Sequence, residues 1–487
     1  GRPMGGFPMP AQPTVPTPDP AAAATPHPAV APLSRRALIG GGAGIAGLGA
    51  ILGVGFLVRA EILGTVIDER QRAAHLLRRA GFSAAASAVD AVVKSGLDIS
   101  TDALLHPEKT SDIALESRLA ADNFDLTKIE QLRRWWLVRM SVSNRPLTEK
   151  MTLFWHGLLT SSYRKAGKNH DLMHTQNEFL RQHALGNLRD LLVGISKDGA
   201  MLKWLDGTGS GKTHPNENYA RELMELFTMG VGNYTETDVR ELARALTGWY
   251  VDAAGKVGFR PRAHDNGSKT ILGHTGNFGV EEAVDIILAN PATPRHVATR
   301  MWEFFVYPQP SAADLQPVID AYHRSHYDIR EMMSAILKSP QFYSNRAYRA
   351  LVKSPTELVA GVSRQFGLTL DPNAFLAMAT MGQSLFDPPD VAGWTAGAGW
   401  LSTGGWMARM RWLLAVSSQH AATVGSASGG ATRPPDAVDH AVSVMLDGFI
   451  SSGARQAIAD HVQSTAAAAG QSDLFFLVAA TPEYQLA

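Results

Sequence analysis

The stretch PNENYARELMELFTMG, residues 215–230, predicts an amphipathic helix, and patterns of this kind decide the fold class of the chain. At 100° per residue, its apolar side chains fall on one stripe and its polar side chains fall on a second stripe beside it. The polar stripe consists of Asn218, Arg221, Glu222 and Glu225. Proline at the start and glycine at the end are typical of helix termini. The same 3.6-residue period dominates the chain from Asp68 onward and predicts a mainly α-helical fold.

Residues 61–487 are predicted to form one large multi-helix globular domain with a small β-hairpin insertion. Alternating runs are scarce, and short strands are predicted only at 249–251, 257–260 and 270–272. A Gly/Ser/Ala/Pro-rich loop near 424–436 is either a linker or an exposed insertion. Helices are predicted over 172–199, 216–229, 236–247, 280–289, 293–306, 311–324, 328–338, 355–366, 404–419, 436–448 and 472–480, with others around Leu76, Trp135 and Phe154.

Composition excludes several functions. Lys and Arg together number 45, as do Asp and Glu, so there is no basic excess that would favour nucleic acid as a partner. The 487-residue chain has no cysteine, which excludes disulfides, thiolate metal sites and cysteine nucleophiles. Residues 206–213 differ by one residue from a phosphate-binding loop. A poor strand precedes them and Pro215 follows closely, so nucleotide binding is not predicted.

The N-terminus is predicted to be a targeting sequence. Ten of the 27 prolines lie in residues 1–33, which predict a disordered Pro/Ala-rich tail. Within residues 34–60, Arg35 and Arg36 precede an uncharged run over 37–58, as in a twin-arginine signal. The same run is long enough to span a membrane, so without cleavage it would anchor the protein with its N-terminus inside. The predicted location is therefore extracytoplasmic, in the periplasm or at the cell surface.

The polar stripe is the main candidate for a functional site. Two carboxylates at i and i+3 can hold a divalent cation when acids and imidazoles from other helices join them. The predicted metal ligands are Glu222, Glu225, Asp238, His156 and Asp265. The predicted catalytic residues are Glu222, Glu225, Arg221 and His264, and the predicted substrate-binding residues are Asn218 and Lys269. Alternatively, Arg221 bridges the two glutamates on a solvated face. Thr235 and Asp238 have the spacing of a capping box for the next helix.

Several runs of the chain resemble a bacterial family known as domain of unknown function 1800. The runs are HLLRRAGF (75–82), FWH (154–156), RQHALGN (181–187), NENYARELMELFT (216–228), YTETDV (234–239), ALTGW (245–249), HD (264–265), KT (269–270), KSP (353–355) and GW (393–394). The resemblance covers residues 68–487 and implies a mainly helical, commonly exported protein of unassigned activity. The family pattern often has a second histidine two residues after FWH. This chain has Leu158 there, so no paired-histidine site is implied.

Two functions follow from these patterns. The first is an exported, membrane-anchored enzyme, hydrolase-like or metal-dependent, whose carboxylate-rich site binds a divalent metal ion or a polar substrate. The second is a non-catalytic binding or assembly protein of the cell envelope. Trp394, Trp400 and Trp406 would then contact a glycan or protein partner. The same tryptophans would serve equally well as caps on the helical core.

Overall fold

The structure is a computed structural model that describes residue 64 and residues 66–166, 171–427, 434–465 and 471–487. The predicted tail over 1–33 and the predicted signal over 34–60 lie outside these residues, as does the middle of the loop near 424–436. No helix in the described ranges combines the length and the hydropathy needed to cross a membrane.

Twenty-four α-helices make up most of the described chain and confirm the predicted mainly α fold. The first twelve are α1 (Glu69–Arg79), α2 (Ala86–Ser95), α3 (Leu97–Leu105), α4 (Ile113–Asp122), α5 (Ile129–Val142), α6 (Pro146–Leu158), α7 (Tyr163–Ala166), α8 (Asp171–Gln182), α9 (Leu188–Ser196), α10 (Gly199–Trp204), α11 (Glu217–Glu222) and α12 (Glu236–Ala245). The other twelve are α13 (Val280–Ala289), α14 (Ala292–Phe305), α15 (Ala312–Arg324), α16 (Ile329–Leu337), α17 (Pro355–Phe366), α18 (Ala374–Thr380), α19 (Thr403–Gln419), α20 (Ala421–Ala427), α21 (Pro434–Leu446), α22 (Ser452–Thr465), α23 (Gln471–Ala479) and α24 (Pro482–Gln485).

The single helix predicted over 172–199 is wrong, because three helices, α8 to α10, occupy this stretch. The side chain of Asn187 accepts a hydrogen bond from the backbone N–H of Arg189 (2.9 Å) and caps α9. The side chain of Asp198 accepts one from the N–H of Met201 (2.8 Å) and caps α10. Short polar side chains that bind the backbone begin new helices, which apolar periodicity alone does not reveal.

The β insertion between α12 and α13 consists of two antiparallel hairpins. Strand β1 (Trp249–Val251) pairs with β2 (Val257–Phe259), and β3 (Lys269–Ile271) pairs with β4 (His274–Gly276). The three predicted strands are confirmed to within one residue, whereas β4 was not predicted. The turn between β3 and β4 has positive φ at both of its residues, 48° at a leucine and 83° at a glycine. This is the geometry of a two-residue hairpin turn, but leucine is an unusual residue there, so the sequence signal is weak.

Helix α6 is buried on every face. All residues from Glu149 to His156 are buried, which covers more than two turns. Phe154 packs in one apolar cluster of the core, and Leu153 packs in a second. Charged side chains on such a helix must find their partners inside the protein. Glu149 and its neighbour Lys150 therefore belong to two buried charged networks, which are described below.

Candidate functional site

The helix predicted over 216–229 is observed, but its second half is a π-helical segment, Leu223–Met229. The side chain of Asn216 caps the helix by accepting a hydrogen bond from the N–H of Asn218 (2.9 Å). The side-chain amide of Asn218 lies 3.4 Å from Oδ2 of Asp206, at the protein surface. Single π-helical turns are rare and are often found at functional sites. The observed geometry therefore keeps this helix among the candidates.

Arg221 joins two helices at the surface. Its Nη1 and Nη2 atoms each lie 2.7 Å from a carboxylate oxygen of Glu236 in a bidentate ion pair. The carboxylate of Glu217 lies 3.9 Å away. Arg221 therefore ties α11 to the first turn of α12, and it does not bridge Glu222 and Glu225 as the alternative interpretation expected.

Glu222 and Glu225 interact through their charges. The hydroxyl of Tyr234 donates a hydrogen bond to Oε2 of Glu225. Partial burial and, after it, the charge of Glu225 raise the pKa of Glu222. Glu222 has no hydrogen bond or ion pair with any described side chain or backbone group. Glu222 is therefore a carboxylate whose charge is not compensated by a described hydrogen bond or ion pair.

Asp238 and Asp265 bind backbone and arginine groups close to them in the fold. Asp238 completes the predicted capping box with Thr235, and it also accepts a hydrogen bond from the N–H of Leu272 (2.7 Å). Asp265 forms an ion pair with Arg244, in which Nε and Oδ2 are 2.7 Å apart. Both carboxylates thereby hold the β insertion against α12. Burial acts to raise the pKa of each carboxyl group, but the hydrogen bonds that each accepts outweigh burial and lower the pKa overall.

Lys269 is buried, and protein acceptors surround its ammonium group. Its ammonium group donates to the backbone carbonyls of Asp265 (2.5 Å) and Gly267 (3.0 Å) and to the side-chain oxygen of Asn277 (3.2 Å). These three acceptors match the three N–H bonds of an ammonium group. Lys269 therefore closes the loop before β3, and its role in substrate binding stays a prediction.

The two predicted functional histidines lie in different surroundings. Nδ1 of His264 lies 2.9 Å from the carbonyl oxygen of Thr247. His156 is buried, and Nε2 of its ring accepts a hydrogen bond from the N–H of Phe386 (3.2 Å). Its ring centroid lies between 5.0 and 5.3 Å from the rings of Trp136, Phe386 and Trp394. Burial lowers the pKa of His156 to about 3, so this imidazole is neutral at pH 7.

The predicted metal site does not form among the described residues. No group of three or more histidine, aspartate or glutamate side chains in these ranges is placed to hold a metal ion. The predicted ligands have different partners instead. His156 packs among aromatic rings, whereas Asp238 and Asp265 accept hydrogen bonds from nearby backbone N–H groups. The predicted catalytic roles of Glu222, Glu225, Arg221 and His264 stay predictions.

The three tryptophans proposed as a contact surface are not exposed. Trp400 is 6% exposed, and Trp394 and Trp406 are half-buried. Trp394 contacts His156, which belongs to the buried helix α6. These contacts favour the interpretation that the tryptophans cap the helical core.

A cleft of about 410 Å³ opens at a place where no site was predicted. Its walls come from the ends of α5 and α8, the starts of α6 and α16, the turn after α8 and the segment before α4. Its basic lining residues are Arg139, Arg145, Arg181 and Arg330. Its acidic lining residues are Glu108, Asp112, Glu116, Glu149 and Glu178. We call this space the arginine cleft.

Glu149 anchors the arginine cleft from inside the protein. Its carboxylate, 2% exposed, accepts two hydrogen bonds from Arg181 (2.8 and 3.0 Å), one from Nε of Arg139 (3.1 Å) and one from the indole N–H of Trp136 (3.1 Å). Burial acts to raise the pKa of Glu149, but the charges of Arg181 and Arg139 outweigh it and lower the pKa overall. Glu149 is therefore ionised and holds both guanidinium groups in place.

The guanidinium groups of Arg139 and Arg181 both lie over the ring of Trp135, at 5.0 and 5.1 Å from its centroid. Arg181 also donates to Glu178 (2.8 Å) and to the side chain of Asn177 (2.7 Å). Protein acceptors thus engage all three nitrogens of the Arg181 guanidinium. The guanidinium of Arg181 is therefore held in place by protein groups.

Arg139 and Arg145 line the cleft and carry N–H donors that have no acceptor among the described residues. Each uses only Nε, Arg139 toward Glu149 and Arg145 toward the carbonyl oxygen of Thr110 (2.8 Å). Neither side chain makes another hydrogen bond or ion pair within the described ranges. Guanidinium groups bind carboxylates and phosphates through such paired N–H groups. The cleft can therefore receive an acidic group of a ligand.

Two features of the sequence could have directed attention to this cleft. Glu149 lies on a helix that is otherwise strongly apolar, and a lone acid there needs a buried partner. Arg181 opens the run RQHALGN, of which residues 181–182 and 184–186 line the cleft. Neither feature identifies Arg139 or Arg145. Both arginines lie near helix ends, where arginine is common on protein surfaces, so the sequence gives no reason to single them out.

A sequence model of the family described as "Protein of unknown function (DUF1800)" matches residues 75–486, which is well over half of the chain. No curated protein and no solved structure matches the chain.

Proposed function

Because the chain belongs to the DUF1800 family, whose function is unknown, we propose from the geometry of its own residues that it binds a small acidic molecule in the arginine cleft. The single observation that carries this proposal is the pair Arg139 and Arg145. Both line the cleft, and their Nη groups have no acceptor within the described residues. A carboxylate or phosphate of the ligand would supply that acceptor.

The size and the charges of the cleft narrow the class of ligand. A volume of about 410 Å³ falls in the range of small-molecule sites. Glu116 lines the same space and is exposed without an ion pair among the described residues, so it can accept hydrogen bonds from hydroxyl or amino groups. A ligand with an acidic group at one end and hydroxyl or amino groups at the other fits both walls. Acidic sugars and amino acids have this chemistry.

We expect the double variant R139Q/R145Q to bind acidic probes at least about tenfold more weakly than the wild type, because charge-assisted hydrogen bonds contribute about 1.5–3 kcal/mol each. Isothermal titration calorimetry of the full chain would compare matched pairs of probes, glucuronate with glucose and glutamate with glutamine. The acidic member of a pair should bind and the neutral member should not.

The variant R189Q is a matched control for this experiment. Arg189 forms a surface ion pair with Asp285 and does not line the cleft, so its replacement should leave binding unchanged. Unchanged affinity of R139Q/R145Q for an acidic probe would contradict the proposal. So would binding of only the neutral probes, or no binding of any acidic probe at millimolar concentration.

We also propose that the protein acts outside the cytoplasm. The support is the sequence pattern of Arg35 and Arg36 before the uncharged run over 37–58. Replacing both arginines with lysine keeps the positive charge that orients a membrane anchor but removes the twin-arginine signal. We expect the double variant R35K/R36K to accumulate in the cytoplasm of a host with a twin-arginine pathway, as measured by cell fractionation. Wild-type levels of export for this variant would contradict the twin-arginine interpretation.

A further inference from the structure

The arginine cleft is lined by more acidic than basic side chains. Five carboxylates and four arginines surround the same space. A ligand that carried only negative charge would add to this excess of acid, and like charges at short range repel each other. The class of ligand that fits therefore depends on which of these nine charges the protein already compensates.

Three of the five carboxylates have a cationic partner within the cleft. Glu149 and Glu178 both accept hydrogen bonds from Arg181. Each Nη atom of Arg330 lies 3.4 Å from a carboxylate oxygen of Glu108. These pairs use the charges of two of the four arginines, so the protein itself compensates this part of the lining.

The other two carboxylates, Asp112 and Glu116, form no ion pair within the part of the chain that the structure describes. Asp112 accepts hydrogen bonds from neutral groups, the hydroxyl of Ser143 (2.6 Å) and the backbone N–H of Asn144 (2.7 Å). The charge of Arg364 acts on Asp112 without an ion pair. Glu116 is exposed. The two acids are four residues apart at the start of α4, so they lie on the same side of this helix.

The complementary charge belongs to Arg139 and Arg145. Arg139 shares the carboxylate of Glu149 with a second arginine, and Arg145 binds a backbone carbonyl oxygen through Nε. No ion pair joins either arginine to Asp112 or Glu116 in the described ranges. Cationic donors without acceptors thus line the cleft where α5 ends and α6 begins, and carboxylates without cations line it at the start of α4.

We infer that the ligand of this cleft carries an ammonium group as well as a carboxylate. The carboxylate binds Arg139 and Arg145, and the ammonium group binds Glu116 beside Asp112. This inference rests on the proposed function, because it concerns the same cleft. It selects amino acids and amino sugar acids over acids that carry only hydroxyl groups. Because no ion pair joins the two walls, the two groups of the ligand are separated by several bonds, as are the ammonium group and the side-chain carboxylate of glutamate.

Isothermal titration calorimetry of the full chain with glutamate and glutarate tests the ammonium site. The two probes have the same two carboxylates, and only glutamate has an ammonium group. We expect the wild type to bind glutamate about tenfold more tightly or better, because a hydrogen bond between charged groups contributes a factor of about this size. Glu116→Gln should reduce the affinity for glutamate to that for glutarate, and it should not weaken the binding of glutarate.

Glu331→Gln is the matched control. Glu331 is exposed near the start of α16 and does not line the cleft, so this variant should keep the preference for glutamate. Asp112 is not replaced, because it also holds Ser143 and Asn144 in place.

Equal affinity of the wild type for the two probes would overturn the inference, as would an unchanged preference for glutamate in Glu116→Gln. If R139Q/R145Q still weakens the binding of both probes in either case, the acid site stands and only the ammonium site is wrong. If the wild type binds neither probe, the proposed function is wrong as well.

Discussion

Replacing Glu149 with glutamine is expected to lower the free energy of unfolding by about 3–5 kcal/mol, the usual cost of removing one partner of a buried ion pair. Glutamine keeps the size of the side chain but removes the charge that faces Arg181 and Arg139. Both guanidinium groups would then stay largely buried without a counter-charge. Urea unfolding followed by tryptophan fluorescence measures the difference. Because Glu149 also positions Arg139, the same variant should bind acidic probes more weakly.

Glu108→Gln is the matched control for this prediction. Glu108 lines the same cleft and faces Arg330 at 3.4 Å, but its side chain is 50% exposed. Exposed ion pairs contribute little, so this variant should lose less than about 1 kcal/mol. If Glu149→Gln is no less stable than Glu108→Gln, Glu149 is not the internal anchor of the cleft.

Acidification is expected to remove about 3 kcal/mol of stability through Glu357 alone, over the range from pH 4.5 down to about 2. Burial acts to raise the pKa of Glu357, but the charges of Lys150 and then Arg79 outweigh it and lower the pKa to about 2. A carboxyl group whose pKa is lower in the folded state stabilises the fold fully above its ordinary pKa of 4.5. That stabilisation is lost as the pH falls toward the folded-state value.

Unfolding free energies at a series of pH values would measure this effect. The variant Glu357→Gln should be less stable than the wild type at pH 7, and its stability should fall less steeply between pH 4.5 and 2. The variant Lys150→Met should also show a shallower fall, because it removes the main charge that lowers the pKa of Glu357. Parallel curves for the wild type and Glu357→Gln would rule out this role of Glu357.

Features with a local cause could be predicted from the sequence. The helical period of residues 215–230 and the capping box of Thr235 and Asp238 depend on residues within one or two turns, and both are observed. The strands at 249–251 and 257–259 follow from short β-favouring runs. The family assignment likewise rests on runs that can be read along the chain. Their causes lie within a few residues, so the sequence contains the necessary information.

The choice of partner for each polar side chain could not be predicted in this way. The spacing of residues in this helix suggested that Arg221 forms ion pairs with Glu222 and Glu225. In the structure its partner is Glu236 on the next helix. Asp265 was predicted to bind metal, and it pairs with Arg244 instead. A carboxylate binds the strong donor that lies nearest to it in the folded protein. The order of residues along the sequence does not show which donor that is.

The sequence by itself determined that the chain is helical, where many of its helices begin and end, and which family it belongs to. Only the tertiary structure decided which charges are buried together. Glu149 forms an ion pair with Arg181, which is 32 residues away in the sequence, and Lys150 forms one with Glu357, which is 207 residues away. The physical reason is that helix period and capping act over one or two turns. An ion pair needs only closeness in space, which packing of the whole chain produces.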